Sequence, residues 1–270
     1  MKLHRTTANQ RGHDYVVGDL HGERAWLERE LDAIGFDPLR DRLFAVGDLI
    51  DRGEDSLRSL QLLDEPWFHA VLGNHEAMMI AAETSENARF DWLRHGGEWA
   101  AVLPAGLRQA WVERLQALPL LIVVGEGLER FQLVHAELTD TLGMPLTDQD
   151  IDGPGRFRAL REERMLWSMS MARRYNRSLS APGTAPMVQR GLSPTFCGHC
   201  PVNQPGWYQS HYFLDGGAGY GQRLENGGAP RLHLKQVAPL LQEFLLASAA
   251  PLNTVLQPPL QQAASGHTPQ

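Results

Sequence analysis

Three short segments of this 270-residue chain place metal-ligating and proton-moving side chains directly after apolar runs. The first is Gly18-Asp19-Leu20-His21-Gly22. Asp19 and His21 stand two positions apart, so on an extended chain end they face the same way, and a carboxylate beside an imidazole can share one divalent cation. The glycines permit a sharp exit and close backbone approach to a ligand. The plainer alternative is that Asp19 caps a helix starting at Glu23. The second segment is Gly47-Asp48-Leu49-Ile50-Asp51-Arg52-Gly53. Asp48 takes the place after its strand that Asp19 takes after its own, and two carboxylates at adjacent strand ends repel unless a cation lies between them. Asp51 and Arg52 either form a local turn ion pair, or Arg52 offers a planar fork to phosphate oxygens. The third is Gly73-Asn74-His75-Glu76. An Asn carbonyl is a neutral oxygen ligand, and the adjacent His75 then points elsewhere on the rim, free of metal and able to move a proton. Two later imidazoles, His135 and His199, each end a strand and add the nitrogen ligands that a two-metal site still lacks.

The elements that must position these groups follow from periodicity. Residues 13–18, 42–46 and 68–72 read as strands. Helices are expected over 23–34, closed by Gly35, and over 55–63, barred from extending by Pro66. This β-α-β-α-β order implies a parallel sheet, which collects ligands at the carboxyl ends of its strands. Residues 75–118 read as helical, interrupted near His95-Gly96-Gly97 and Pro104. Antiparallel strands are expected at 120–124 and 130–135, a polar loop at 138–155, one helix over 156–174 and a surface loop over 176–194. Strands return at 194–198, 207–214 and 231–237 in hairpin-like succession. No internal repeat or linker divides the chain, so one domain is expected over 1–250, followed by a disordered Gln/Pro/Ala-rich tail over 251–270.

Composition bounds the function. With 43% apolar and 21% charged residues and seven Trp, the chain reads as an ordinary globular protein. Two Cys exclude a disulfide framework and fit a reducing cytoplasm. The first twelve residues lack an apolar core of the secretory type, and no apolar run approaches the roughly 18 residues of a membrane span. A net charge of −7 argues against a nucleic-acid partner.

In this order and spacing, Gly-Asp-X-His-Gly, Gly-Asp-X-X-Asp-Arg-Gly and Gly-Asn-His-Glu resemble the phosphoprotein phosphatase family of metallophosphoesterases, and among it the bacterial and phage serine/threonine protein phosphatases. His95-Gly96-Gly97-Glu98-Trp99, Leu166-Trp167-Ser168 and Leu214-Asp215-Gly216-Gly217-Ala218 also look like family segments, so the similarity runs from about residue 13 to residue 237. It implies an α/β, four-layer calcineurin-like fold of two packed mixed β-sheets flanked by helices. It implies that Asp19, His21 and Asp48 hold one divalent metal, with Asp48 bridging to a second completed by Asn74, His135 and His199. Mn is favoured, with Fe or Zn as alternatives. His75 would be the general acid, oriented by Asp51, and Arg52 would bind phosphate. The implied activity is hydrolysis of phosphoserine and phosphothreonine, with phosphotyrosine open, by direct attack of water activated between the metals. Phosphoprotein substrates follow from the resemblance, and the chain is expected to be a cytoplasmic monomer. Symmetrical diadenosine tetraphosphate hydrolases are also similar, but they tend to carry Gly-Asn-His-Asp and to lack the Asp before the Arg, so Glu76 and Asp51 favour the protein phosphatase. A catalytically silent phosphoprotein-binding module is the third reading. Three positions depart from the pattern: Glu137 stands for the Gly after His-Ala, Cys200 for the Thr after Gly-His, and Met169 for the Arg after Trp-Ser that helps hold phosphate. Arg173, Arg174 and Arg177 are the candidates to replace that Arg.

Overall fold

The computed structural model describes residues 2–154, 160–179, 187–221 and 229–249. The expected tail over 251–270 lies outside the described residues.

A four-stranded sheet has the order β10-β2-β3-β4. It is built from β2 (Asp14–Val17), β3 (Arg42–Ala45) and β4 (Phe68–Ala70), which run parallel, and from β10 (Leu234–Gln236), antiparallel to β2. Helices α1 (Arg24–Ile34) and α2 (Ser56–Leu60) make the crossovers, and α3 (Asn74–Ala82), α4 (Glu86–Arg94) and α5 (Ala105–Ala117) follow. Gly35 ends α1 in the left-handed region, as its position after the last apolar residue predicts.

The six-stranded sheet has the order β1-β5-β6-β7-β9-β8. It comprises β1 (Leu3–Thr6), β5 (Leu121–Val124), β6 (Phe131–Val134), β7 (Thr195–Cys197), β8 (Gly206–Tyr208) and β9 (His211–Phe213). The helices α6 (Asp148–Asp152), α7 (Glu162–Trp167), α8 (Ser170–Leu179) and α9 (Val237–Ala249) complete the described chain.

Strand alternation sorts the apolar side chains into three layers. Val16, Phe44, Ile122, Phe131, Leu133 and Phe196 meet between the sheets. Val17, Leu43 and Ala45 turn outward to Leu27, Leu60, Met79 and Trp111 of the first helical layer. Leu121, Val123 and Val134 turn the other way to Met165, Met171 and Tyr175. Two mixed sheets flanked by helices result, the expected four-layer architecture. No helix among the described residues is long and apolar enough to cross a membrane.

Several local expectations are corrected. The polar stretch 138–155 contains α6, started by Thr147, whose hydroxyl and backbone exchange hydrogen bonds with Asp150. The single helix expected over 156–174 is two, α7 and α8, parted at Ser168-Met169, and α8 runs on to Leu179 into the expected loop; residues 155–159 lie outside the description. The strand expected over 207–214 is a tight hairpin, because Gln209 and Ser210 adopt positive φ between β8 and β9. Nor do the late strands form a hairpin succession: β7 pairs parallel to β6 and β9, and β10 joins the other sheet. β1 and α9 were not anticipated, since a four-residue edge strand and an apolar run before a biased tail give weak periodic signals.

Candidate metal centre

All seven groups singled out in the sequence as ligands or proton donor converge on one cluster where the two sheets meet, and each is buried or nearly so. The loops after β2 and β3 interlock: the Leu20 and His21 amides donate to the Asp48 carbonyl at 3.0 and 2.8 Å. Gly47 and Gly73 lie against each other, and a side chain at Gly73 would run into the Asp48 carboxylate and backbone. His21, Asp48, Asp51, Arg52 and His199 all have positive φ, five of the seven such non-glycine residues in the described chain. Each conformation costs about 1–3 kcal/mol, so the surrounding contacts must hold these side chains in place.

The tautomers follow from backbone partners, since a carbonyl only accepts. His21 Nδ1 donates to the Ile50 carbonyl at 2.9 Å and His135 Nδ1 to the Val46 carbonyl at 2.8 Å. Both rings therefore turn an Nε2 lone pair inward, that of His21 meeting Arg52 Nη1 at 2.5 Å. His21 Nε2 faces Asp48 Oδ2 at 3.7 Å, and His135 Nε2 faces Asp48 Oδ1 at 3.4 Å and Asn74 Oδ1 at 2.8 Å. His199 Nδ1 reaches the same Asn74 oxygen at 2.9 Å, while its buried Nε2 has no hydrogen-bond partner. Acceptors facing acceptors in a buried space are what a cation between them relieves. Among the described residues two groups have metal-sized spacing, His21/Asp48/His75 and Asp48/His135/His199, and Asp48 belongs to both. Asp19 stands outside both groups: its two oxygens accept the His199 amide at 3.1 and 3.0 Å, which disposes of the helix-capping alternative.

Electrostatics agree. Burial raises Asp19 well above the usual carboxylate range, reinforced by the charges of Asp215 and Asp48. Burial likewise pushes Asp48 up to about 8 and His135 down to about 4, so the acids resist ionising and the imidazole stays neutral. Bound divalent cations would reverse the first tendency and favour the neutral ring. These oxygen and nitrogen donors fit divalent metals.

The calcineurin-like phosphoesterase family profile matches residues 15–215. This chain belongs to that family. The phosphoesterase is 32% identical over 224 residues to serine/threonine-protein phosphatase 1 of Salmonella typhimurium, covering 82% of this chain and 93% of that one. It is 37% identical over 139 residues to serine/threonine-protein phosphatase 2 of Escherichia coli, half of this chain but only 63% of the relative's length. It is also 35% identical over 124 residues, 45% of this chain and 42% of the relative, to a symmetrical bis(5'-nucleosyl)-tetraphosphatase of Methylococcus capsulatus. A crystal structure assigned as a diadenosine tetraphosphatase shares the fold, with a TM-score of 0.52 at 21% identity over 87% of this chain and 97% of that one. The protein is thus a metallophosphoesterase, a hydrolase.

Around the metal-sized groups, the expected contact of Asp51 with His75 is joined by supports that motif reading missed. His75 Nδ1 meets Asp51 Oδ2 at 2.7 Å, and Asp51 accepts from two indoles, Trp92 at 2.8 Å and Trp99 at 2.7 Å. Trp99 lies in a segment whose likeness to the family was noted, but Trp92 has no local signal. Glu76 is fully buried and accepts the amides of Asp48, Leu49, Ile50 and Gly73 at 2.9, 2.8, 3.3 and 2.9 Å, so it shapes the loops and meets no substrate. Glu137 is fully buried as well. It accepts from the Thr139, Ser168 and Ser170 hydroxyls at 3.0, 2.6 and 2.8 Å, from the Met171 amide at 2.8 Å, and from Arg164 at 2.5 Å. That clamp explains the break between α7 and α8, and it holds Trp167 edge-on to His199 at 6.5 Å. Of the three candidate arginines, Arg173 lies against Met169, Nη2 to Sδ 3.8 Å, whereas Arg174 turns to the Gly143 carbonyl at 3.4 Å.

Proposed function

We propose that this phosphoesterase is a serine/threonine protein phosphatase with two divalent cations held by Asp19, His21, Asp48, Asn74, His135 and His199. The observation that carries the reading is Asp48, whose two oxygens face the inward Nε2 atoms of His21 and His135 at 3.7 and 3.4 Å. Bound cations would supply a nucleophilic water near neutral pH and neutralise phosphoryl charge. Mn is the favoured metal, with Fe or Zn as alternatives.

The chain's own residues do the rest. Asp51 holds His75 Nδ1 at 2.7 Å, which leaves Nε2 to protonate the departing oxygen. Burial pushes Asp51 up to about 7 and His75 down to about 2. Arg52, half-buried beside His21, offers its fork to the phosphoryl oxygens. A serine or threonine alkoxide is a poor leaving group and needs a proton, whereas a nucleoside polyphosphate leaves without one. The His75–Asp51 pair therefore supports phosphomonoester hydrolysis over symmetrical diadenosine tetraphosphate cleavage. The local likeness to a nucleosyl-tetraphosphatase keeps the second reading in play, and Glu76 does not discriminate because it is wholly internal. We further take the protein to act as a cytoplasmic monomer on phosphoproteins, without nucleic-acid or membrane partners.

The deciding experiment is turnover of phosphoserine, phosphothreonine and phosphotyrosine peptides and of diadenosine tetraphosphate across Mn, Fe and Zn. Phosphoserine or phosphothreonine turnover well above tetraphosphate turnover is expected. The reverse order would establish the nucleotide reading, and no turnover with metal bound would leave the silent binding module.

A further inference from the structure

The geometry points to Tyr220 as a positioning residue that fixes the plane of the Arg52 guanidinium, an inference that rests on the phosphate-binding reading of Arg52. The Arg52 guanidinium carbon lies over the Tyr220 ring at 4.3 Å from its centroid, well inside cation–π range. The same ring meets His21 edge-on at 6.2 Å, so it bridges the proposed phosphate fork and a proposed ligand. The backbone is arranged for this contact. Gly217, Gly219 and Gly221 all have positive φ, which turns the loop after Asp215 back over the site. A side chain at Gly219 would come within 2.6 Å of His21 Cβ and 3.3 Å of Arg52 Cβ, so only glycine lets the loop pass this close. On the other side, Gly96 sits under Arg52, where an added Cβ would come within 2.7 Å of its amide. Arg52 is thereby confined from below by backbone and from above by an aromatic face, with its own backbone at φ 69°.

A planar fork binds phosphate oxygens in a bidentate way only when its plane is set. A free arginine side chain must lose rotamer freedom on binding, and a stacked one has lost it in advance. Tyr220 itself remains 39% exposed, so the stack lies at the surface of the site and not in the core. Stacking needs the ring and not the hydroxyl, so phenylalanine should replace it and an aliphatic residue should not.

The test is a double-mutant cycle on metal-loaded enzyme, with kcat and KM measured for a phosphoserine peptide and Ki for inorganic phosphate. Tyr220→Leu should lower kcat/KM by roughly 2- to 30-fold, the range of one cation–π contact, mainly through KM, and weaken phosphate inhibition in step. Tyr220→Phe should stay close to wild type. In an Arg52→Ala background, Tyr220→Leu should add less than a further 2-fold loss. Equal losses from Tyr220→Leu with and without Arg52 would overturn the inference, as would wild-type kinetics for Tyr220→Leu beside a crippled Arg52→Ala. An Arg52→Ala enzyme with intact kcat/KM would overturn the phosphate-binding reading, and the inference with it. Where Tyr220→Leu fails to fold, Tyr220→Met carries the same comparison.

Discussion

The two halves of the centre are built on different principles. Asp19, His21, Asp48, Asp51, Arg52, Asn74 and His75 come from three consecutive strand ends of one sheet, within the first 75 residues. His135 and His199 come from two parallel neighbours in the other sheet, whose paired positions Gln132 and Thr195 stand 63 apart in sequence. In the first half, strained loops lock into one another and into Glu76, so geometry is stored in backbone. In the second half, single imidazoles are held by partners from elsewhere: Val46 of the opposite sheet for His135, and Asp19 and Asn74 for His199, with Trp167 of the Glu137-clamped turn edge-on to its ring. Backbone strain thus sets several groups at once in the first half, whereas the second half relies on long-range contact, with strain added only where His199 turns inward at φ 69°.

The sharpest way to break this contrast is to remove what the halves share. Asp48→Ala is expected to cut kcat by about 10³–10⁵-fold, several kcal/mol of transition-state stabilisation, and to lose both metals, whereas His199→Ala should lose one. Elemental analysis beside kinetics decides it; equal metal loss from both variants would erase the distinction. Next in size, His75→Ala should lower kcat by roughly 10²–10⁴-fold on a phosphoserine peptide and far less on nitrophenyl phosphate, which needs no acid. Equal losses on the two substrates would make His75 a ligand, as its metal-sized spacing to His21 and Asp48 allows. Smaller again, Trp92→Phe or Trp99→Phe each removes one donor from Asp51 and should reduce kcat about 10-fold, with metal content unchanged.

The remaining effect belongs to the second half and concerns stability, with no loss of the chemical step. Burial alone would raise Glu137, but hydrogen bonds from Ser168, the Met171 amide and Ser170, with the charge of Arg164, bring it below the usual glutamate range. A depressed folded value contributes stability above the unfolded value of about 4.3 that is lost as pH falls through the folded value. Urea unfolding should therefore show Glu137→Gln weaker by about 1–3 kcal/mol at pH 7, with the gap narrowing below about pH 4. A gap that persists unchanged at low pH would mean the clamp acts by shape and not by charge.

What could be read from the chain divides along the same line. The three motifs, each opened by a glycine, were legible because each sits directly after a strand and carries its chemistry within a few residues. The β-α-β order gave the parallel sheet for the same local reason. His135 and His199 could be nominated as strand-end imidazoles, but nothing near them in sequence reveals Val46 or Trp167 as their supports. Trp92 holds Asp51 across 41 positions, a contact that only the folded helix layer creates. Glu137 looked like a departure from a pattern; its meaning is spread over Thr139, Arg164, Ser168, Ser170 and Met171, which also explains why one expected helix is two.

The hydrogen bond from His135 to the Val46 carbonyl ties one sheet to the other at the centre of the site. Cations shared between Asp48 and His135 would act as rivets through the same seam. Their affinity and the cohesion of the sheet sandwich would then be one free energy measured in two ways, since a cation that binds only the assembled seam holds it together in proportion to its own occupancy. Depletion of metal in the cell would loosen the two sheets from each other as well as silence the chemistry between them.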